Sequence, residues 1–252
     1  VAVFEAGVGA HRSANFSDRF AEGVVQAPRI ERASDLVVNA RSYHPKKDSF
    51  SSKLRRVFSA ILRLFVPVLL LVTLGGASFV YAATPAPLTY AQPWLNIGLL
   101  VLPLTFLAVH LTGRRYGAEY AFAQVVLAYA AIGGASFYMR DGILQVLNKN
   151  HISLRVIAGF LSGLFLAHVL AIFLFDRLRG PRWWQAPLIA SLFGGLVLSL
   201  VAFPSAYAGT GIDWTGRMLD YMGVTSAAAL LLILPYWVMR PLVPPRPGFG
   251  GY

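Results

Sequence analysis

The chain contains no cysteine. That excludes disulfides, thiolate-bound zinc, iron–sulfur clusters and thiol nucleophiles together. It is also poor in charge. Asp, Glu, Lys and Arg make up 13% of its 252 residues, where a soluble domain carries about 25%. Enzyme signatures are missing too: the sequence has no phosphate-binding glycine loop, no Gly-x-Ser-x-Gly elbow and no His-Glu-x-x-His helix. The stretch GVGAHRSA at 7–14 is not a nucleotide loop, because no strand precedes it and no lysine follows at the required place. The chain therefore reads as a protein other than an enzyme.

What it has in quantity is apolar residues, 56% of the total, with a mean hydropathy of +0.59. Six runs are long enough to cross a hydrocarbon layer of about 30 Å as helices. They lie near 57–82, 95–112, 120–139, 154–175, 185–207 and 219–239. The expected fold is all-α, a polytopic transmembrane bundle of about six spans. Three segments follow: a basic cytoplasmic extension at 1–56, the membrane domain at 57–240 and a Pro/Gly-rich tail at 241–252. The extension carries ten Lys/Arg against six Asp/Glu. The first apolar run ends in Val80, Ala82 and Ala83, which resembles a cleavage site. Its length and the more than fifty residues before it instead indicate a span that stays in place.

Cytoplasmic loops of membrane proteins are enriched in Lys and Arg. Here Lys46, Lys47, Lys53, Arg55 and Arg56 precede the first span, and the loop at 83–94 has no basic residue. Arg114 and Arg115 follow the second span, Arg177, Arg179 and Arg182 the fourth, and Arg240 and Arg246 the sixth. This alternation places both ends in the cytoplasm. The loop at 140–155 breaks it, with Arg140, Lys149 and Arg155 on the outer side. The net charge of +11 is thus read as membrane topology and attraction to anionic lipid, and nucleic acid is not an expected partner. Tyr81, Trp94, Tyr138, Trp183, Trp184, Trp214 and Trp237 fall near the expected interfaces.

Polar side chains inside spans are the candidates for function, because placing a charge there costs about 2.5–3.5 kcal/mol or more. Few exist. His110 lies in the second span, Gln124 in the third, His168 in the fourth and Ser191 in the fifth. Together they are the candidate pocket lining, able to hold a solute, a proton or, through a histidine, a pigment-like group. The plainer reading is a pair of neutral imidazoles bonded to neighbouring helices. Arg114, Arg115, Asp176 and Arg177 are candidates for a cytoplasmic gate, with interfacial anchoring as the plainer role. The pairs Gly75-Gly76, Gly133-Gly134 and Gly194-Gly195 are expected to let helices approach closely. Pro103 and Pro204 are expected to interrupt or kink spans two and five. No metal site and no cofactor is required by the sequence; contact with lipid or pigment is compatible with it.

Two segments carry a resemblance. LPLTFLAVHLTGRRYG (102–117) and HVLAIFLFDRLRGPRWWQAPLIASLFGGLVLSLVAFPSAYAGTG (168–211) resemble the queuosine precursor transporters, also called the vitamin-uptake-transporter-like family. The matching positions include Pro103, Thr105, Phe106, Thr112, Arg114, Tyr116, Gly117, Phe175, Asp176, Arg177, Arg179, Trp183, Trp184, Pro187, Ser191 and Gly194. The resemblance covers 57–240 and leaves the extension outside. It implies a six-span transporter of the bacterial inner membrane. It also implies intramembrane acids where this chain has His110, Ala171 and Val197, and a glutamine where it has His168.

Two functions are thus open. One is transport of a small solute through an altered site. The other is an accessory subunit of a larger respiratory or photosynthetic membrane complex, docked through the extension and the lipid-facing helices. A transporter is expected to show a midplane cavity lined by His110, His168, Gln124 and Ser191; a structural subunit is expected to show a filled bundle.

Overall fold

In lipid every backbone amide must find its partner within the protein, so long apolar runs fold as helices. The computed structural model describes residues 50–86, 94–139, 141–142, 145 and 153–245. The extension up to residue 49, Arg140, Lys149 and the tail from 246 lie outside the described residues. The described residues contain no strand, apart from one isolated bridge between Pro85 and Asn96.

Helix α1 covers Phe50–Val80 and continues into a 3-10 turn at Tyr81–Ala83. Short α2, Ile97–Val101, is followed by α3, Leu104–Tyr116, then α4, Ala118–Tyr138. Next come α5, Leu154–Arg177, and α6, Gln185–Tyr207. The last two are α7, Trp214–Leu231, and α8, Ile233–Met239. Six helical spans are long and apolar enough to cross a membrane: Phe58–Val80, Ile97–Tyr116, Ala118–Tyr138, Leu154–Arg177, Gln185–Tyr207 and Trp214–Met239. The protein is an integral membrane protein. Span two runs to Tyr116, so Arg114 and Arg115 lie in its last helical turn and not in a loop. Gly117 alone then reverses the chain, at φ 98°, a left-handed conformation that only glycine adopts freely.

The spans are buried unequally. In spans two, four and five, 61%, 39% and 56% of the apolar window is buried, against 11%, 22% and 17% in spans one, three and six. The core is thus α3, α5 and α6, and the outer spans present Phe58, Phe65, Phe122, Phe137, Leu230 and Leu234 outward, as lipid contact requires.

Close packing within this core rests on small residues. A Cβ on Gly159 would lie 2.9 Å from the amide nitrogen of Ala206, and one on Gly163 would lie 3.0 Å from that of Ala202. The spacing of four in each helix sets a small-residue stripe of α5 against one of α6. Gly194 faces the Phe106 ring and Gly195 faces Thr225, also without room for a Cβ. By contrast, Gly76, Gly133 and Gly134 have open space around them. The expected role in close approach therefore holds for the pair at 194–195 and not for the pair at 133–134.

Pro204 lies inside α6 without ending it. Pro103 does divide span two. The carbonyls near the division are taken by side chains: Ser78 donates to Gly98 O at 2.8 Å, and Tyr221 donates to Leu99 O at 2.9 Å.

Arg155, one of the three basic residues that break the topological alternation, has a structural partner. Its Nε and Nη2 donate to the carbonyls of Ser205 and Ala208, at 2.9 and 2.6 Å. Carbonyls at a helix C-terminus lack intrahelical partners, and a cation there also suits the helix dipole. Arg155→Ala is expected to lower stability by about 1 kcal/mol, read as a lower unfolding midpoint in detergent. Arg155→Lys should recover part of it.

Candidate functional site

The core spans bring three of the four expected pocket residues together. His110 and Thr105 stand on α3, His168 on α5 and Ser191 on α6, all buried. His110 Nε2 and Ser191 Oγ share a hydrogen bond of 3.0 Å, and His168 Nε2 and Thr105 Oγ1 share another of 3.0 Å. The Thr105 hydroxyl donates to Leu102 O at 2.5 Å. Its single proton is thereby used, so it accepts from His168 and fixes that ring with the proton on Nε2. The remaining nitrogen, Nδ1, is then a bare acceptor. His168 Nδ1 and His110 Nδ1 are both buried without a hydrogen-bond partner among the described residues. Leaving such an atom unsatisfied costs about 1–3 kcal/mol.

Aromatic rings enclose the pair. His110 stacks on Phe175 with centroids 4.9 Å apart and planes 9° apart, and Phe106 meets His168 edge-on at 5.1 Å. From His110 a narrow seam runs past Gly113 and Phe175 to Arg179, with no room for a water molecule. Among the described residues the expected open midplane cavity is not seen at the histidines, where the Phe106 and Phe175 rings pack against them. Gln124 is buried as well, but its printed bond leads elsewhere: its Nε2 donates to Pro67 O on α1 at 2.8 Å, and its Oε1 has no hydrogen-bond partner among the described residues.

The expected gate residues behave differently from one another. Arg114 Nε donates to Val243 O at 2.9 Å and Arg115 to Pro244 O at 3.1 Å, which fixes the segment after α8 across the end of α3. Asp176 pairs with Arg179 at 3.0 Å, and Arg177 is exposed. Arg179 Nη2 also reaches Gly113 O at 2.8 Å and lies over the Phe175 ring. Burial holds this guanidinium below its ordinary pKa, and Asp176 and Tyr236 pull it back up while Arg114 opposes them. Thr105 and Tyr236 were not singled out as site residues from the sequence, whereas Arg179 was read beside Asp176 and Arg177. Thr105 and Arg179 do stand in the two motifs that carry the resemblance; for Tyr236 no sequence signal existed.

Among the described residues the two ends of the bundle differ in charge. Arg114, Arg115, Arg177, Arg179, Arg182 and Arg240 gather at one end with Asp176 and Glu119. The other end holds Arg155 and Arg217 with Asp141, Asp213 and Asp220.

The chain is similar to the Queuosine precursor transporter of Escherichia coli (strain K12), 31% identical over 119 residues, 44% of this chain and 54% of that protein. It is a transporter-like membrane protein. The matched region thus spans about half the length of that relative. No protein-family model matches the chain. No solved structure matches it.

Proposed function

We propose that the protein carries a small, uncharged, planar solute across the membrane, binding it between the His110–Ser191 and His168–Thr105 pairs and performing no covalent chemistry on it. The observation that carries this reading is the pair of buried imidazole nitrogens left without partners. Most buried side-chain polar atoms of native proteins have a hydrogen-bond partner, so two orphaned imidazole nitrogens in one core favour a ligand over packing alone. Here the bare His168 acceptor fits a solute N–H or O–H, and the flanking Phe106 and Phe175 fit a flat ring. The relative's printed name, queuosine precursor transporter, supports a small heteroaromatic solute. The acids that the resemblance implies are replaced by His110, Ala171 and Val197, which favours a neutral solute over a cationic one.

A closed transporter and a structural subunit share a filled bundle. The orphan nitrogens and the similarity favour the transporter. The accessory-subunit reading rested on the extension at 1–56, nearly all of which lies outside the described residues, and on the replaced acids; the filled space at His110 is what it expected, but the similarity to a transporter does not support it. We read the arginine-rich end as the cytoplasmic one, in a bacterial inner membrane.

The test is uptake into proteoliposomes of a panel of uncharged purine-like solutes, against a matching cationic set. Uptake of a neutral member should fall at least about tenfold in His110→Ala, the loss expected for one buried hydrogen bond, with Ser191→Ala intermediate. No uptake of any neutral solute, or equal uptake by wild type and His110→Ala, would sink the reading.

A further inference from the structure

Phe175 stands where the histidine site meets the arginine-rich end. Its ring stacks on His110, with centroids 4.9 Å and planes 9° apart, and the Arg179 guanidinium lies over the same ring at 5.3 Å. Both side chains line the seam that leads from His110 toward that end. The facing helices offer only small residues to it, Gly113 on α3 and Ala121 on α4. A Cβ on Gly113 would already touch the Phe175 ring, at 3.4 Å. Arg179 ties this end of α5 to α3: its Nη2 donates to Gly113 O at 2.8 Å. The same carbonyl accepts the Gly117 N–H at 2.9 Å, so releasing the arginine strands no backbone acceptor. Asp176, on α5 itself, pairs with Arg179 at 3.0 Å and stays with it when the contact to α3 parts. The opposite end of the core is built otherwise. There Phe203 of α6 meets Trp94, Phe160 and Tyr221 at centroid distances of 5.9, 5.4 and 5.5 Å. Tyr221 is also bonded to Leu99 O. Parting four rings from four segments breaks several contacts at once.

We propose that Phe175, latched by Arg179 to the end of α3, is the gate between the histidine pairs and the arginine-rich end, and that the site opens on this side while the Phe203 cluster stays shut. The inference rests on the reading of the histidine pairs as a solute site and adds its route of access. Opening draws Arg179 off Gly113 O and the Phe175 ring off His110, which joins the seam to solvent. A flat neutral solute then takes the face of His110 that the ring has left.

The natural absence of cysteine makes the test clean. A single Ala121→Cys, buried in the seam, would be reacted with a charged, water-soluble methanethiosulfonate on the full chain in detergent. Its reaction should be slow against that of the exposed Glu119→Cys. Adding Arg179→Gln should speed it about tenfold or more, the effect of one lost bond to a charged donor, and Phe175→Ala should do the same. Arg177→Gln, an exposed neighbour, should leave the rate unchanged. Ser199→Cys, buried in the outer half of α6, should stay unreactive in every background. Should Arg179→Gln fail to fold, Arg179→Lys keeps the charge with poorer reach to Gly113 O, and the rate should rise severalfold. Unchanged Ala121→Cys labelling in the Arg179 and Phe175 variants, an equal rise at Ser199→Cys, or labelling as fast as Glu119→Cys without any further change overturns the proposal. Labelling reads access and not uptake, so a gate without transport and transport without this gate give different results.

Discussion

Gly163→Leu should abolish the folded bundle. A Cβ at this position already lies 3.0 Å from the Ala202 amide nitrogen and 3.1 Å from both the Ala202 methyl and the Leu198 carbonyl. Two of those three atoms are backbone, so no rotamer change relieves the clash, and α5 and α6 must separate. Overpacking of this kind costs about 3 kcal/mol or more. The cost falls on the pair of helices that packs most extensively in the protein. In lipid, helix association depends on close van der Waals packing, because the tails solvate apolar side chains as well as a neighbouring helix does. Detergent size-exclusion should therefore show aggregate or loss of yield. Gly134→Leu, where the space is open, should leave the profile unchanged within about 0.5 kcal/mol of stability. A monodisperse Gly163→Leu protein with the wild-type unfolding midpoint would contradict the α5–α6 contact described above.

The second large effect concerns the acids that the resemblance implies. Restoring one, as His110→Asp, should destabilise the protein by about 3 kcal/mol. His110 is buried between the Phe106 and Phe175 rings, and its bonded neighbour is the neutral Ser191 hydroxyl. A carboxylate there would have neither water nor a cation against it. His110→Asn removes the imidazole without adding charge and can still bond Ser191, so its loss should stay near 1 kcal/mol. Unfolding midpoints of the three proteins in one detergent would measure the difference. If His110→Asp matched His110→Asn, the site would be wetter than the packing indicates.

These expectations show how far the sequence alone could reach. All six spans were readable, because hydropathy over some twenty residues is a property of each run by itself. Their ends were less so. Span two was expected to stop near residue 112 and runs to Tyr116, since arginine side chains reach out to the interface while their backbone stays helical. His110, His168 and Ser191 do lie near one another, since polar residues in apolar spans seek one another. Gln124 was grouped with them only because it too is polar; its partner, a proline carbonyl on α1, follows from helix rotation that composition does not encode. The glycine pair at 133–134 misled for the same reason, while the pair at 194–195 does pack closely. Adjacent glycines are conspicuous in a sequence, but a packing stripe recurs every four residues, as Gly159 and Gly163 do. Thr105 was hidden because a threonine in a helix ordinarily bonds its own backbone, and here it does so while also serving His168.

The division of span two at Pro103 has a mechanical consequence. Its outer piece, α2, is tied to α1 through Ser78 and to α7 through Tyr221. Its inner piece, α3, is tied to α5 and α6 through the histidine pairs. An unbroken rod would force these two sets of neighbours to move as one. With the ladder already interrupted and its freed carbonyls held by hydroxyls, bending at this joint breaks little that was intact. Spans one and six can then shift together with α2 while α3 keeps its hydrogen bonds to His168 and Ser191.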